Sequence, residues 1–257
     1  MASDPDALPT VPAVPAPAPA PAPAPAEAAP GEVGRAAAGA EILPADAGRA
    51  AVFDLDGTIV DSEPRSRLAL RRLFDDYRVP YDEALLQRFV GRQGPEVFAE
   101  LDHLFPGHHP ARLSAEVAAY FHEPGQPPLA ALPGAAELAA EIHRQGDPLA
   151  LVTSAGRRHA VPTLAGLGLL GLFTVIVAGD EVTVGKPDPE GYRRASDELG
   201  VVPARCVAFE DSPAGLAAAR AAGMYCVAVT TTHPRSELAG ADQIVADLTE
   251  ITWPVVA

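Results

Sequence analysis

The chain has 257 residues, a formal net charge of −15 and two cysteines, Cys206 and Cys226. A surface that acidic repels nucleic acid and anionic membranes, so any anionic ligand needs a local cluster of positive groups. No apolar run approaches the roughly 20 residues of a membrane span, and the N-terminus lacks the basic-then-apolar order of a secretory signal. Both cysteines sit in apolar, strand-like runs and read as buried free thiols, which suits a cytoplasmic protein.

Residues 1–48 hold 11 of the 28 prolines, and residues 15–26 alternate Pro and Ala without a break. Such a segment cannot bury enough apolar surface to offset its ordering entropy, and Pro–Ala alternation favours extended polyproline II. It reads as a disordered tail. No PxxP there is set off by basic residues, so the sequence names no proline-reading partner.

The foldable part begins with Ala51–Leu55 (AVFDL), a short apolar run ending at an acidic pair, as a buried strand does when it reaches a functional edge. From residue 65 to 133 the pattern is helical, with amphipathic stretches at Ser66–Tyr77, Glu83–Val90, Pro95–Leu104 and Ala111–Phe121 punctuated by Pro and Gly. No strand is expected there, and the segment reads as an α-helical cap inserted into a core of residues 49–64 and 134–257. Strands return at Leu149–Thr153, Val175–Ala178, Val207–Phe209, Tyr225–Val229 and Ile244–Val245. They alternate with helices at Ala135–Arg144, Arg157–Gly166, Pro189–Leu199 and Pro213–Ala222. Continuous apolar strands alternating with helices argue for an α/β fold with a parallel sheet covered on both faces. Ligands of such sheets bind beyond the carboxyl ends of the strands.

Asp54-Leu55-Asp56-Gly57-Thr58 stands at the first such end. Side chains two apart on a strand project the same way, so Asp54 and Asp56 aim at one spot. Paired carboxylates there need a cation between them or a proton on one, and either outcome is useful: one can ligate a metal and attack, the other can deliver a proton. Gly57 lets the chain turn sharply toward a ligand. Thr153-Ser154 ends the next core strand before a helix at Gly156–Arg157, where hydroxyl and free helix amides form an anion site. Glu210-Asp211 ends a further strand, again before a helix. Lys186 is the single lysine beside 18 arginines, as though this position needed a compact ammonium where a planar guanidinium would not serve. Helix capping, or for Lys186 a solvated loop charge, would explain each element singly, but it does not explain four of them along the chain, each at a strand end or helix start.

These segments, DLDGTIVDSE, TSAGR, GKPDPEGY and FEDSPAGLAAARAAGM, resemble the four motifs of the haloacid dehalogenase superfamily over residues 51 to 247. The chain most resembles the phosphatase and β-phosphoglucomutase branch with an α-helical cap. The resemblance implies a Rossmann-like core and a Mg²⁺-dependent phosphatase working through an aspartyl-phosphate. It casts Asp54 as nucleophile and Asp56 as general acid, then base. Thr153 and Ser154, with Gly57, hold the phosphate, and Lys186 neutralises charge. Asp54, Asp56, Asp211 and Glu210 form the metal site. A dehalogenase is disfavoured by Asp56, and a phosphonatase by the absence of lysine from the cap. A mutase of this type carries a histidine twelve residues after the nucleophile, where this chain has Ser66. The expected substrate is a small sugar or polyol phosphate. A β-phosphoglucomutase-like mutase and a non-enzymatic binding module of the same fold are the alternatives, and monomer and dimer both stay open.

Overall fold

The computed structural model describes residues 48–255 apart from Gly91; the expected Pro/Ala-rich tail lies outside these but for Gly48. In chain order the elements are β1 (Ala50–Phe53), β2 (Val60–Asp61), α1 (Glu63–Asp76), α2 (Glu83–Gln87), α3 (Gly94–Glu100), α4 (Pro110–Phe121), β3 (Ala130–Ala131), α5 (Ala135–Arg144), β4 (Leu149–Val152), α6 (Arg157–Gly166), β5 (Phe173–Val177), α7 (Glu190–Leu199), β6 (Cys206–Glu210), α8 (Pro213–Ala222), β7 (Tyr225–Val229) and β8 (Gln243–Val245).

Six strands form one parallel sheet in the order β5-β4-β1-β6-β7-β8. The strands are almost wholly apolar because both faces are covered, and their period of two sorts the residues between layers. Ala51 and Phe53 of β1 pack with Ala135, Leu138, Ala139 and Ile142 of α5 and with Ala160 and Leu164 of α6. The α5 residues recur at i, i+3, i+4 and i+7, the stripe that turns one helix face inward. Ala50 and Val52 face the other layer, with Tyr192 and Ala195 of α7 and Leu216, Ala218 and Ala219 of α8. Phe53 and Phe209, adjacent in the β1–β6 register, stack with ring centroids 4.5 Å apart. That aromatic pair lies directly beneath Asp54 and Glu210.

The helical stretch after β1 has a core of its own, in which Leu70, Leu73, Phe74, Val97, Phe98, Phe105 and Leu113 are all buried. Its boundaries hold one feature that the sequence pattern did not announce. Val60–Asp61 and Ala130–Ala131 pair as a small antiparallel ribbon, and Leu132 N–H donates to Ile59 O at 2.8 Å. Ala130–Ala131 is thus a strand in a segment expected to have none. Two residues are too few for a period-two signal, and the pairing comes only from bringing entry and exit of the insertion together. The ends of β1, α2 and α3 also fall short of their expected positions, as fraying termini commonly do.

Phe209→Ala removes a ring that is 0% exposed, and so destabilises the fold by about 3–5 kcal/mol. Urea denaturation followed by circular dichroism measures it, and a loss below about 1 kcal/mol would show that the layers repack around the void.

Candidate active site

The sheet reverses its winding at β1, which has β4 and β5 on one side and β6, β7 and β8 on the other. The expected site residues gather above the carboxyl ends of the strands around this point, as the geometry of open α/β sheets requires. Asp54 extends the ladder by one residue, its N–H donating to Phe209 O at 3.0 Å. The chain then turns tightly, with the N–H groups of Thr58, Ile59 and Val60 converging on Leu55 O at 3.3, 2.8 and 3.0 Å. Gly57 sits inside the turn at φ 88°. A Cβ there would lie 2.2 Å from Asp211 Oδ2 and 2.8 Å from Thr232 Cγ2, so conformation and space both demand glycine.

Opposite this turn, carboxylate oxygens of Asp54, Glu210 and Asp211 all lie within 4.8 Å of one another, and all three residues are buried. Lys186, whose side chain is 6% exposed, donates from Nζ to Asp54 Oδ1 at 2.5 Å and also to Glu210 Oε1. Glu210 is held from every side. Tyr192 Oη donates to Oε1 at 2.5 Å, Ser212 Oγ to Oε2 at 3.1 Å, and the Asp211 N–H to Oε2 at 3.2 Å. A Cβ at Gly215 would come within 1.9 Å of the same carboxylate. Asp211 accepts from Thr58 Oγ1 at 3.3 Å and from Thr232 Oγ1.

Three carboxylates and one ammonium leave a formal charge of −3 + 1 = −2, which a divalent cation balances. The donors are hard oxygens, the set that suits Mg²⁺. Burial first, and like charge second, show in the acidities of these groups. Burial pushes Asp54 well above the usual carboxylate range, with Glu210 and Asp211 adding to it against the pull of Lys186. Burial, then Glu210, lifts Asp211 to about 7. Burial opposes charge on Lys186 as well, but Asp54 and Glu210 outweigh it and hold the ammonium protonated.

Asp56 stands apart from this cluster. A third of its side chain is exposed, and its Oδ1 lies 3.0 Å from His159 Nε2. Burial alone would raise its pKa, yet His159 and Ser62 outweigh burial and hold it below the usual carboxylate range. Asp56 borders two adjoining cavities. One, of about 170 Å³, also touches Asp54, Gly57, Ser154, Lys186 and Asp211. The other, of about 250 Å³, opens toward the helical insertion between Leu70, Phe89, Val117, Phe121 and His122.

The expected anion site after β4 is built differently from its sequence reading. Thr153 Oγ1 accepts the Ala155 N–H at 3.0 Å, and Asp180 Oδ1 takes the Arg157 N–H at 3.0 Å, so these helix-start amides are already occupied. Ser154, not Thr153, borders the larger shared space; Thr153 faces a small neighbouring one with Lys186 and Tyr192. Arg157 turns to Glu181 and Arg158 is exposed. His109 caps the start of α4 and His108 packs edge-on against Tyr77, which agrees with a loop role for that pair. Trp253 packs in the core and donates from Nε1 to Asp147. Sequence reasoning missed His159, Tyr192, Ser62 and Thr232. Ser62 and Tyr192 lay inside the motif segments and Thr232 follows β7 at the strand end where ligands gather, whereas His159 had no signal.

The family model for haloacid dehalogenase-like hydrolases matches residues 49–223. Validoxylamine A 7′-phosphate phosphatase of Streptomyces hygroscopicus subsp. limoneus is 46% identical over 204 residues, covering 79% of this chain and 96% of that protein. A phosphorylated carbohydrates phosphatase of Thermotoga maritima is 37% identical over 180 residues, 68% of this chain and 82% of that protein. Among solved structures, CbbY from Rhodobacter sphaeroides in complex with phosphate superposes with a TM-score of 0.71 at 31% identity, covering 79% of this chain and 95% of that one.

The raised pKa of Asp211 has a consequence for stability. The folded state binds this proton more tightly than the unfolded chain, whose value is near 3.8. Its contribution is therefore present at low pH and is lost as pH climbs to about 7. Asp211→Asn should raise the melting temperature of cation-free protein at pH 8, by the equivalent of about 1 kcal/mol or more, and the gain should shrink at pH 5. Thermal scans in EDTA at both pH values check this; a destabilised variant at pH 8 would contradict it.

Proposed function

The chain belongs to the haloacid dehalogenase-like hydrolases as a phosphoric monoester hydrolase, and we propose that it is a Mg²⁺-dependent phosphatase acting on a sugar or polyol phosphate through an aspartyl-phosphate on Asp54. The observation that carries the reading is the buried Asp54–Lys186–Glu210–Asp211 cluster, with Asp56 at the junction of two cavities. Asp54 and Asp211 offer carboxylate oxygens to the cation, Asp56 lies alongside, and Glu210 acts from behind through Lys186. Bound there, Mg²⁺ supplies the positive charge that keeps Asp54 ionised and neutralises phosphoryl oxygens.

Asp54 attacks phosphorus with a carboxylate oxygen, and the bond from phosphorus to the leaving oxygen breaks. Asp56, between the phosphoryl side and the leaving-group side, is held ionised by His159 and Ser62 in the free chain; it takes up a proton as the anionic phosphoryl group arrives beside it and gives that proton to the leaving oxygen. It then takes a proton from the water that attacks the aspartyl-phosphate, releasing phosphate and restoring Asp54. Lys186 balances the nucleophile and the incoming phosphoryl charge, while Ser154 and the Gly57 turn line the phosphoryl end. We take Thr153 to support this end through the Ala155 amide. Residues 65–133 serve as the cap over a core of residues 49–64 and 134–257, and supply the wall facing the leaving group.

The same features favour hydrolysis over phosphoryl return to a mutase product. Ser66 stands where a mutase would have histidine, and the Arg92 guanidinium in the cavity wall is paired with Glu100, which blunts its appeal to a second phosphate. The phosphate-ester class follows the relative named for validoxylamine A 7′-phosphate. Free buried thiols, pushed up to about 11 for Cys206 and about 12 for Cys226 by burial, suit a cytoplasmic enzyme.

Phosphate release from hexitol phosphates, fructose 1-phosphate and validoxylamine A 7′-phosphate, measured with Mg²⁺ and with EDTA, tests the assignment. Activity should require Mg²⁺, and folded Asp54→Asn should lose at least about 10³-fold in kcat; turnover surviving in that variant sinks the covalent route. Lys186→Arg should lose on the order of 10²-fold, mainly in kcat, because a broad guanidinium displaces Asp54 from its line of attack. Steady-state kinetics decides it, and retention of more than about half of wild-type kcat withdraws the role of Lys186.

A further inference from the structure

We propose that His159 is a positioning residue for Asp56: it pins one carboxyl oxygen so that the other is presented at the junction of the two cavities, and it ties that placement to the end of α4. The proposal rests on the phosphatase reading above. His159 is the third residue of α6, far in sequence from the acidic pair, yet its Nε2 is 3.0 Å from Asp56 Oδ1. Its side chain is 14% exposed, less than half the exposure of the carboxylate it holds. The ring is wedged edge-on against Phe121, with centroids 4.9 Å apart at 84°, and lies 5.7 Å from the ring of His122. Phe121 in turn lies under the Arg65 guanidinium at 5.2 Å, and Arg65 is anchored by donating from Nε to Pro127 O at 2.9 Å. Asp56 is therefore connected through one imidazole to both ends of the helical insertion.

The need for such a group follows from the contrast with Asp54. Asp54 is gripped by buried Lys186, whereas Asp56 follows the end of β1 in a partly exposed turn, where an aspartate side chain has several accessible rotamers. An acid–base group must meet its oxygen partner within hydrogen-bond reach, and displacement by about 1 Å can cost on the order of 10²-fold. Ser62 also hydrogen-bonds this carboxylate, but His159 is the partner that fixes Oδ1, so the orientation in which Asp56 meets substrate and water rests on the imidazole. The imidazole also borders the same cavity as Asp56, beside Ala155, Gly156 and Phe121.

A group that only positions the acid matters most where protonation of the leaving oxygen is difficult. The test compares kcat/KM for phenyl phosphate, a poor leaving group, with that for 4-nitrophenyl phosphate, a good one, since kcat/KM reports steps through the first bond cleavage. His159→Leu fills the same space against Phe121 but offers no hydrogen bond; His159→Gln restores a donor at similar reach. His159→Leu should lose about 10–100-fold on phenyl phosphate and less than about 3-fold on 4-nitrophenyl phosphate, and His159→Gln should recover most of the loss. Equal losses on both esters in folded His159→Leu, or no recovery in His159→Gln, overturn the proposal and leave the phosphatase reading standing. If wild-type protein with Mg²⁺ cleaves neither ester and none of the sugar phosphates, the phosphatase reading fails and takes this proposal with it.

Discussion

The ammonium of Lys186, buried between Asp54 and Glu210, is the contact on which the rest of the site depends. An unpaired charge at that depth would cost several kcal/mol, and so would either carboxylate left without the lysine. The surroundings answer that cost at every atom. Tyr192, Ser212 and the backbone N–H of Asp211 complete Glu210, while Gly215 provides the space that lets its carboxylate lie against α8. Glu210 is engaged on several sides, and Lys186 bridges it to Asp54, so the placements of the three side chains are coupled. The arrangement still holds more negative than positive charge. That excess is a charge imbalance that a bound divalent cation would offset.

The sheet makes this possible by gathering residues that lie far apart along the chain. Asp54, Ser154, Lys186, Asp211 and Thr232 come from different connections, all above the carboxyl ends of the strands around β1, where the winding reverses. The rigid part below is apolar and stacked, as the Phe53–Phe209 pair shows. The helical insertion has its own core and meets the site only through its surface. Its arginines are largely spent on neighbouring carboxylates, Arg67 on Glu63 and Arg88 and Arg92 on Glu100. The wall beyond Asp56 is consequently more apolar than a residue count suggests, with Leu70, Phe89, Val117 and Phe121 bordering that space.

The sequence by itself determined the parallel α/β core, the helical character of the segment after β1 and the gathering of Asp54, Lys186, Glu210 and Asp211; in the structure Asp56 stands nearby but apart from them. Each rests on local rules: apolar runs of strand length, helical periodicity, and acidic or hydroxyl residues where a strand gives way to a helix. The unusual survival of one lysine among 18 arginines marked Lys186 before its partners were in view. Only the tertiary structure decided which oxygens and amides are already spoken for. Thr153 and the Arg157 N–H looked free in sequence because their partners, the Ala155 N–H and Asp180, depend on how loops fold back. The ribbon of Val60–Asp61 with Ala130–Ala131 could not be read from strands two residues long. His159 stayed invisible for the same reason: its separation from Asp56 along the chain carries no periodicity, and only the packing of α6 and α4 brings imidazole to carboxylate. Local patterning sets which elements form and where they end, whereas hydrogen-bond partnership across a site is a property of distance in space, which a linear order of residues does not encode.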